Sequence, residues 1–492
     1  MLGPSFPYGG GAYGFDLGTW MRPAGRIRNA CSMEEATSMQ EWTRQVGART
    51  RPDKTQAVNV NDYGAVGDGR TLDTQAIQAA IDACADRGGG IVRFGPGAYL
   101  TGSVFVKEGV TLNIDEGVRI LGSQDLADYP EIDTRVAGVE MRWPAALINV
   151  CDQDNVAVVG EGLVNAQASP FRERYWTLRR EEYEPQGLRW VVDYDCKRPR
   201  TLLVSGCSNV TIQGLALRES AFRTVHVLYS KHVTIDALTI RSNADGHGPG
   251  IDGIDIDSSS FVLIENCDFE GGDDNVCLKA GRDADGLRVN RPTEYVVVRN
   301  NTCRAGGGLI ACGSETSGGI RHVLAHHLKA RDTGAGLRFR SAQTRGGTVE
   351  DVHLEDIEID GVGAVLDVAV NWNPSHSYCT LPQGYTHQTL PPHWKILLQK
   401  VEPPERGIPE IKDVHVSRLQ ASRARRAISA SGMRTSVLKD FILKDVHIEA
   451  ETAGQIMFAK GWRFDNVSIR TREDRKLDVQ GCEDMQLLEK DD

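Results

Sequence analysis

The sequence predicts an all-β fold: a parallel β-helix with a helical cap at its N-terminal end. Three observations lead there. An apolar repeat of constant form runs through the chain, 52 glycines demand frequent turns, and one helical pattern precedes a long series of short strands.

The repeat has the form apolar-x-apolar-x-x-apolar-x-apolar. It opens at Val210, Ile212, Leu215 and Leu217, returns at Val233, Ile235, Leu238 and Ile240, and again at Val262, Ile264, Cys267 and Phe269. Further units start at Val296, Val323, Val352, Val414 and Phe441, so that leading positions lie 23, 29, 34, 27, 29, 62 and 27 residues apart. A flat strand would keep strict alternation. Here the phase changes by one residue in mid-unit, so the chain bends and continues with its apolar side still inward. The units are β-branched and too short for helix pairs, which excludes a helical solenoid. In Gln75 to Arg87, Ile77, Ala80, Ile81 and Cys84 recur at helical spacing, with Thr74 read as N-cap and Gly88 to Gly90 as the stop. A solenoid leaves the core of its first coil open, and this helix is placed to cover it.

These signals divide the chain into an N-terminal extension (1–56, helical in part over Ser32 to Val46), a solenoid (57–480) and a C-terminal tail (481–492). Within the solenoid, 57–130 form the capping coils, and 167–200 interrupt the repeat with Tyr175, Trp176, Tyr183, Trp190 and Tyr194. Such an insertion is a substrate-binding wall or a packed side lobe, and the wall is the preferred reading.

Composition excludes several functions. A net charge of −11 argues against nucleic acid, which needs a basic surface. No run of about 18 apolar residues occurs, so no membrane-spanning helix is expected. Met1 to Arg28 lacks a basic start followed by an apolar stretch, which places the chain as written in the cytoplasm, or outside it if an export signal is missing from this sequence. Eleven cysteines without a CxxC pair suggest buried thiols rather than a disulfide or zinc framework. Oligomeric state is left open.

Aligning successive coils by their inward pairs, Val225/Val227, Ile254/Ile256, Val276/Leu278, Ile310/Cys312 and Leu337/Phe339, puts Arg223, Asp252, Asp274, Gly308 and Ala335 in one column. Asp273 stands beside it, and Lys279, Arg338 and Arg340 fall in the neighbouring outward rows. Neighbouring strands lie about 4.7–4.9 Å apart, so the acids crowd and at least one should keep its proton. A protonated carboxyl beside an ionised one is what glycoside hydrolysis requires, and basic anchors beside them suit an anionic sugar. Asp255 and Asp257, alternating with Ile254 and Ile256, read as a solvated face, and His326 and His327 as surface residues. His226 and His247 are candidates for substrate binding, though His247 also reads as an exposed loop residue. Glu315 binds sugar or orders its Gly-rich turn. An isolated Asp–Gly or Asp–Asp is usually a turn. It is the convergence of three acids with several bases that favours catalysis.

Several ordered motifs resemble a known family. Asn61–Asp–Tyr–Gly–Ala–Val–Gly–Asp–Gly–Arg–Thr71 and Gly88–Gly–Gly–Ile–Val–Arg–Phe94 look like the N-terminal cap of pectin-degrading β-helix enzymes. Ile251–Asp–Gly–Ile–Asp255, Gly272–Asp–Asp–Asn275, Gly313–Ser–Glu–Thr–Ser–Gly–Gly319 and Leu337–Arg–Phe–Arg340 are similar to glycoside hydrolase family 28, the polygalacturonases and rhamnogalacturonan hydrolases. The resemblance implies a right-handed, pectin-lyase-like β-helix that hydrolyses α-galacturonosyl linkages with inversion. It implies Asp273 as general acid, Asp252 and Asp274 as the bases sharing the attacking water, Arg338 and Arg340 as anchors for the galacturonate carboxylate, and no metal or other cofactor. The partner is a pectic oligo- or polysaccharide. Three departures stand out: Gly250–Ile–Asp252 replaces Asn–Thr–Asp, Arg340 replaces a lysine, and Gly306–Gly–Gly308 replaces Gly–His–Gly. Rhamnogalacturonan hydrolases resemble this chain in lacking that histidine, which makes rhamnogalacturonan as good a candidate as polygalacturonan. A polysaccharide lyase using calcium and a non-catalytic carbohydrate-binding β-helix are the alternatives.

Overall fold

The computed structural model describes residues 41–242, 248–386, 388–472 and 476–486. The alternating segments are short parallel strands, three to a coil in the middle of the molecule, each bonded to the equivalent strand one coil away. The leading positions Val210, Val233, Val262, Val296, Val323, Val352, Val414 and Phe441 are all fully buried in one continuous core. The residue just before the third apolar position of each unit has left-handed backbone: Gly214, Ala237, Asn266, Asn300, His327, Asp356, Arg418 and Asp445. That local reversal is the bend that the phase change anticipates. Asn and Asp are frequent there because they adopt this region at the smallest cost after glycine.

The site-bearing strands are β1 (Val225–Leu228), β2 (Ile254–Asp257), β3 (Val276–Lys279), β4 (Gly306–Cys312) and β5 (Thr333–Arg340). Val225, Ile254, Val276, Ile310 and Leu337 are successive partners, which is the register derived from the inward pairs.

Helix α1 (Thr74–Asp86) covers the first coils with Ile77, Ala80, Ile81 and Cys84 buried. Its cap differs from expectation. Asp73, not Thr74, occupies the cap position, and its carboxylate accepts hydrogen bonds from the Val66 and Gly67 amides, while Thr74 Oγ1 accepts one from Gly102 N. Both side chains are thus used to attach the helix to the first coils.

Ahead of the cap, Glu41–Arg44 is a single 3₁₀ turn. The following residues run across successive coils, with Gly47 N donating to Phe261 O, Ala48 N to Thr234 Oγ1 and Arg49 N to Asn209 Oδ1. At the other end, Glu483 and Gln486 still bridge to Lys460 and Arg463, so the described part of 481–492 continues the ladder. The hairpin Glu131–Val136/Val139–Pro144 is the one antiparallel pair among the named strands, and with 167–200 it builds a second core around Trp143, Trp190, Tyr194, Phe222 and Trp394. Cys207, Cys267 and Cys303 are buried free thiols. No helix among the described residues is long and apolar enough to cross a membrane.

Replacing Ile81 by Ala should leave a cavity between cap and coil and cost about 2–5 kcal/mol. Urea unfolding would read this as a lower midpoint with an unchanged slope; an unchanged midpoint would show that the helix does not seal the core.

Candidate active site

Parallel register carries the chemistry. Asp252 and Asp274 stand two residues ahead of the paired Ile254 and Val276, and Gly253 N donates to the Asp274 carbonyl. Asp273 lies at the bend before β3, its Oδ1 accepting from Asp274 N at 3.0 Å. Asp274 is fully buried between two arginines of β5, Arg338 at 2.9 Å and Arg340. The two acids of the pair therefore diverge. Burial alone would raise Asp274, but the Arg340 and Arg338 charges outweigh it and hold its carboxyl below the usual range. Asp273 is pushed up by desolvation and by the Asp274 charge beside it, with the arginines opposing. One carboxyl is held ionised and its neighbour is disposed to keep a proton.

Asp252 pairs with Arg223, the preceding member of the same column, and lies 3.6 Å from Lys279. Lys279 in turn lies 3.2 Å from Glu315, whose carboxyl is held low by Lys279 and Arg223 against the effect of burial. Glu315 therefore does more than order its turn: it anchors the lysine.

Asp252, Asp273, Arg223, Lys279, Glu315 and Arg340 line one cavity of about 280 Å³. Its far side comes from 167–200, through Tyr175, Trp176, Arg179, Arg189 and Asp193, and from Trp372, Asn373 and His376. Trp372 lies under Arg340, 4.7 Å from guanidinium to ring centroid. The insertion is both things considered for it: Trp190 and Tyr194 are buried in its own core, while Trp176 and its arginines face the cavity.

Two expectations are corrected. Asp255 and Asp257 are not solvated; both are buried, because the hairpin and the segment after β3 roof the outward face at this level. Arg135 of the hairpin pairs with Asp257 at 2.8 Å, and against the effect of burial this charge, helped by the His226 ring beside it, lowers the Asp257 pKa to about 2. Asp255 has neither oxygen hydrogen-bonded among the described residues; it sits 3.4 Å from Arg223 and 3.8 Å from Lys279, and burial raises its pKa. His226 does not line the cavity either. It is buried 3.5 Å from Asp257, where desolvation depresses its pKa. His247 lies outside the described residues.

Gly307, where the resemblance expects histidine, sits against the acid pair: a Cβ there would stand 2.9 Å from Asp273 Oδ1 and 3.0 Å from Asp274 Oδ1, so the carboxylates would have to shift to admit it. Sequence reasoning missed Arg135, Trp372 and His376. None belongs to a repeat unit or motif, and nothing local marks them.

The model of glycosyl hydrolases family 28 matches residues 110–386, and that of rhamnogalacturonase A/epimerase, pectate lyase-like proteins matches 57–131. A probable polygalacturonase of Vitis vinifera is 31% identical over 311 residues, 61% of this chain and 60% of the relative. An exo-poly-alpha-D-galacturonosidase of Dickeya chrysanthemi is 28% identical over 59% of this chain and 53% of its own length. The chain thus spans less than two thirds of these relatives. Among solved structures, a hyperthermoactive exopolygalacturonase from Thermotoga maritima superposes with a TM-score of 0.73 at 26% identity, covering 87% of this chain and 95% of the other.

Gly307→Ala should force the Asp273/Asp274 pair apart and lower turnover by at least about tenfold, since displacements near 1 Å carry penalties of that order or greater. A variant with unaltered melting temperature and full activity would show that the acid pair tolerates the added methyl.

Proposed function

The chain belongs to the glycosyl hydrolases of family 28, and from that premise we propose that it is an inverting hydrolase of α-linked galacturonic acid that attacks chain ends. The observation that carries this is the adjacent pair Asp273 and Asp274, displaced in opposite directions and backed by Arg338 and Arg340. Asp273 gives its proton to the glycosidic oxygen. Asp274 and Asp252 take the proton of a water attacking the anomeric carbon from the opposite face, so the product is inverted and no glycosyl-enzyme forms. The planar forks of Arg338 and Arg340 hold the carboxylate of the sugar being cleaved, sharing their donors between it and Asp274.

The walls support attack at chain ends. The insertion and the Trp372–His376 segment bound a cavity of about 280 Å³, which suits a saccharide terminus better than a polymer passing through. The names borne by the Dickeya and Thermotoga relatives support the same reading. A calcium-dependent lyase is disfavoured. Asp252, Asp255 and Cys277 come close enough to hold a cation, but Arg223 and Lys279 already stand within 4 Å of the acids. Two fixed positive charges oppose a third.

Asp273→Asn should lower kcat on galacturonan oligosaccharides by about 10²- to 10⁴-fold with the fold retained; near-normal turnover would remove Asp273 as the acid. Digestion of polygalacturonate should release short products with little early loss of viscosity, and products absorbing as unsaturated uronates would favour the lyase. Activity needs Asp274 ionised and Asp273 protonated, so it falls as pH drops through the lowered pKa of the first or rises through the raised pKa of the second. Arg340 lowers both. Arg340→Met should therefore move both limbs of the kcat/KM profile to higher pH, and an unmoved acid limb would contradict the role given to Arg340.

A further inference from the structure

The cavity is lined by basic groups from the coils and from the insertion, and the insertion's set has no part in the chemistry described so far. Trp176, Arg179 and Arg189 project from the insertion into the same space that Asp273 and Arg340 line. Their hydrogen-bonding capacity is incompletely used. Trp176 Nε1 and Arg189 Nε are buried yet have no partner among the described residues. Arg179 has an exposed counterion, Glu184 at 2.7 Å, and its guanidinium lies over Trp176, 5.1 Å from the ring centroid. Arg189 pairs with Asp193 at 2.6 Å, but Asp193 also accepts from Tyr175 Oη at 2.8 Å and lies 3.5 Å from Arg198. The surplus of donors is positive. His376, 3.4 Å from Arg189 through Nδ1, is kept neutral by burial and the arginines around it, so it adds no charge of its own. Buried donors without acceptors cost stability unless a ligand supplies the acceptor.

We propose that Trp176, Arg179 and Arg189 form a second carboxylate site, which binds the uronate next to the one gripped by Arg338 and Arg340. The inference rests on the hydrolase reading above and narrows it. Two carboxylate sites on one short cavity match consecutive galacturonates. In an alternating galacturonate–rhamnose chain the neighbouring sugar is neutral, and the arginine set would stay unpaired in the complex. The absent side chain at Gly307 is then a matter of space beside Asp273 and Asp274, while choice of linkage lies in the insertion.

The test uses trigalacturonate and the same trisaccharide methyl-esterified only at the uronate next to the one being cleaved, with release of product as the readout. Wild type should favour the free acid by about 10- to 100-fold in kcat/KM, the range for hydrogen bonds to a charged group. Arg179→Gln and Arg189→Gln should each raise KM for the free acid while changing the ester by no more than about twofold, collapsing the preference. Because Arg189 also neutralises Asp193, Trp176→Phe provides a gentler variant, which keeps an aromatic side chain, loses the N–H along with the pyrrole part of the indole and should erode the same preference. Equal rates on acid and ester by wild type, or equal losses on both in the variants, would overturn the second site while leaving the hydrolase standing. Failure of wild type to cleave either compound, or rhamnogalacturonan oligosaccharides, would instead overturn the hydrolase reading.

Discussion

Parallel register is the constraint on which the rest of the molecule depends. Each coil must bond to the next through the same strand positions, so residues separated by 20 to 60 places become neighbours about 4.8 Å apart. Asp252 and Asp274 come from different coils, and the arginines that hold Asp274 from a coil further on. A one-residue slip anywhere between β2 and β5 would turn these groups to the opposite face. The fully buried aliphatic rows prevent that slip, because they would have to leave the core together. Hydrophobic burial fixes the relative position of charges it never touches.

The floor of the cavity shows how such a column tolerates buried charge. Asp252, Asp255, Asp257 and Glu315 are all buried within a few coils, and isolated carboxylates in that setting would be strongly unfavourable. Arg135, Arg223 and Lys279 offset them, two arriving through the repeat and one from the hairpin. Removing one partner from such a network exposes the desolvation of the others, so these groups are coupled. Asp255 is the exception. It has charge neighbours but no hydrogen bond among the described residues, and burial outweighs those neighbours to raise its pKa. A shared charge network under the acid pair also explains how Asp273 and Asp274, adjacent in sequence, hold opposite protonation tendencies: the guanidinium groups reach one of them directly and the other only through space.

Much of this was legible beforehand. The inward pairs gave the strand register without adjustment, since period-two alternation admits one alignment that keeps Val225, Ile254, Val276, Ile310 and Leu337 inside. The helical cap and the bends were visible for similar reasons. The reading of Asp255 and Asp257 failed because alternation reports which side of a strand a residue takes, not whether that side is covered. The helix cap failed at one residue, where the expected capping hydroxyl and the preceding acid both serve tertiary contacts.

By itself, then, the sequence determined the solenoid, its register and the column of acids and bases, because all of these follow from short-range periodicity repeated coil after coil. Tertiary structure alone decided what roofs that column. Arg135, Trp176, Arg189 and Trp372 lie on segments outside the repeat, and their positions depend on how a hairpin and an insertion pack on the coils. No pattern within those segments encodes a contact whose other half lies a hundred residues away.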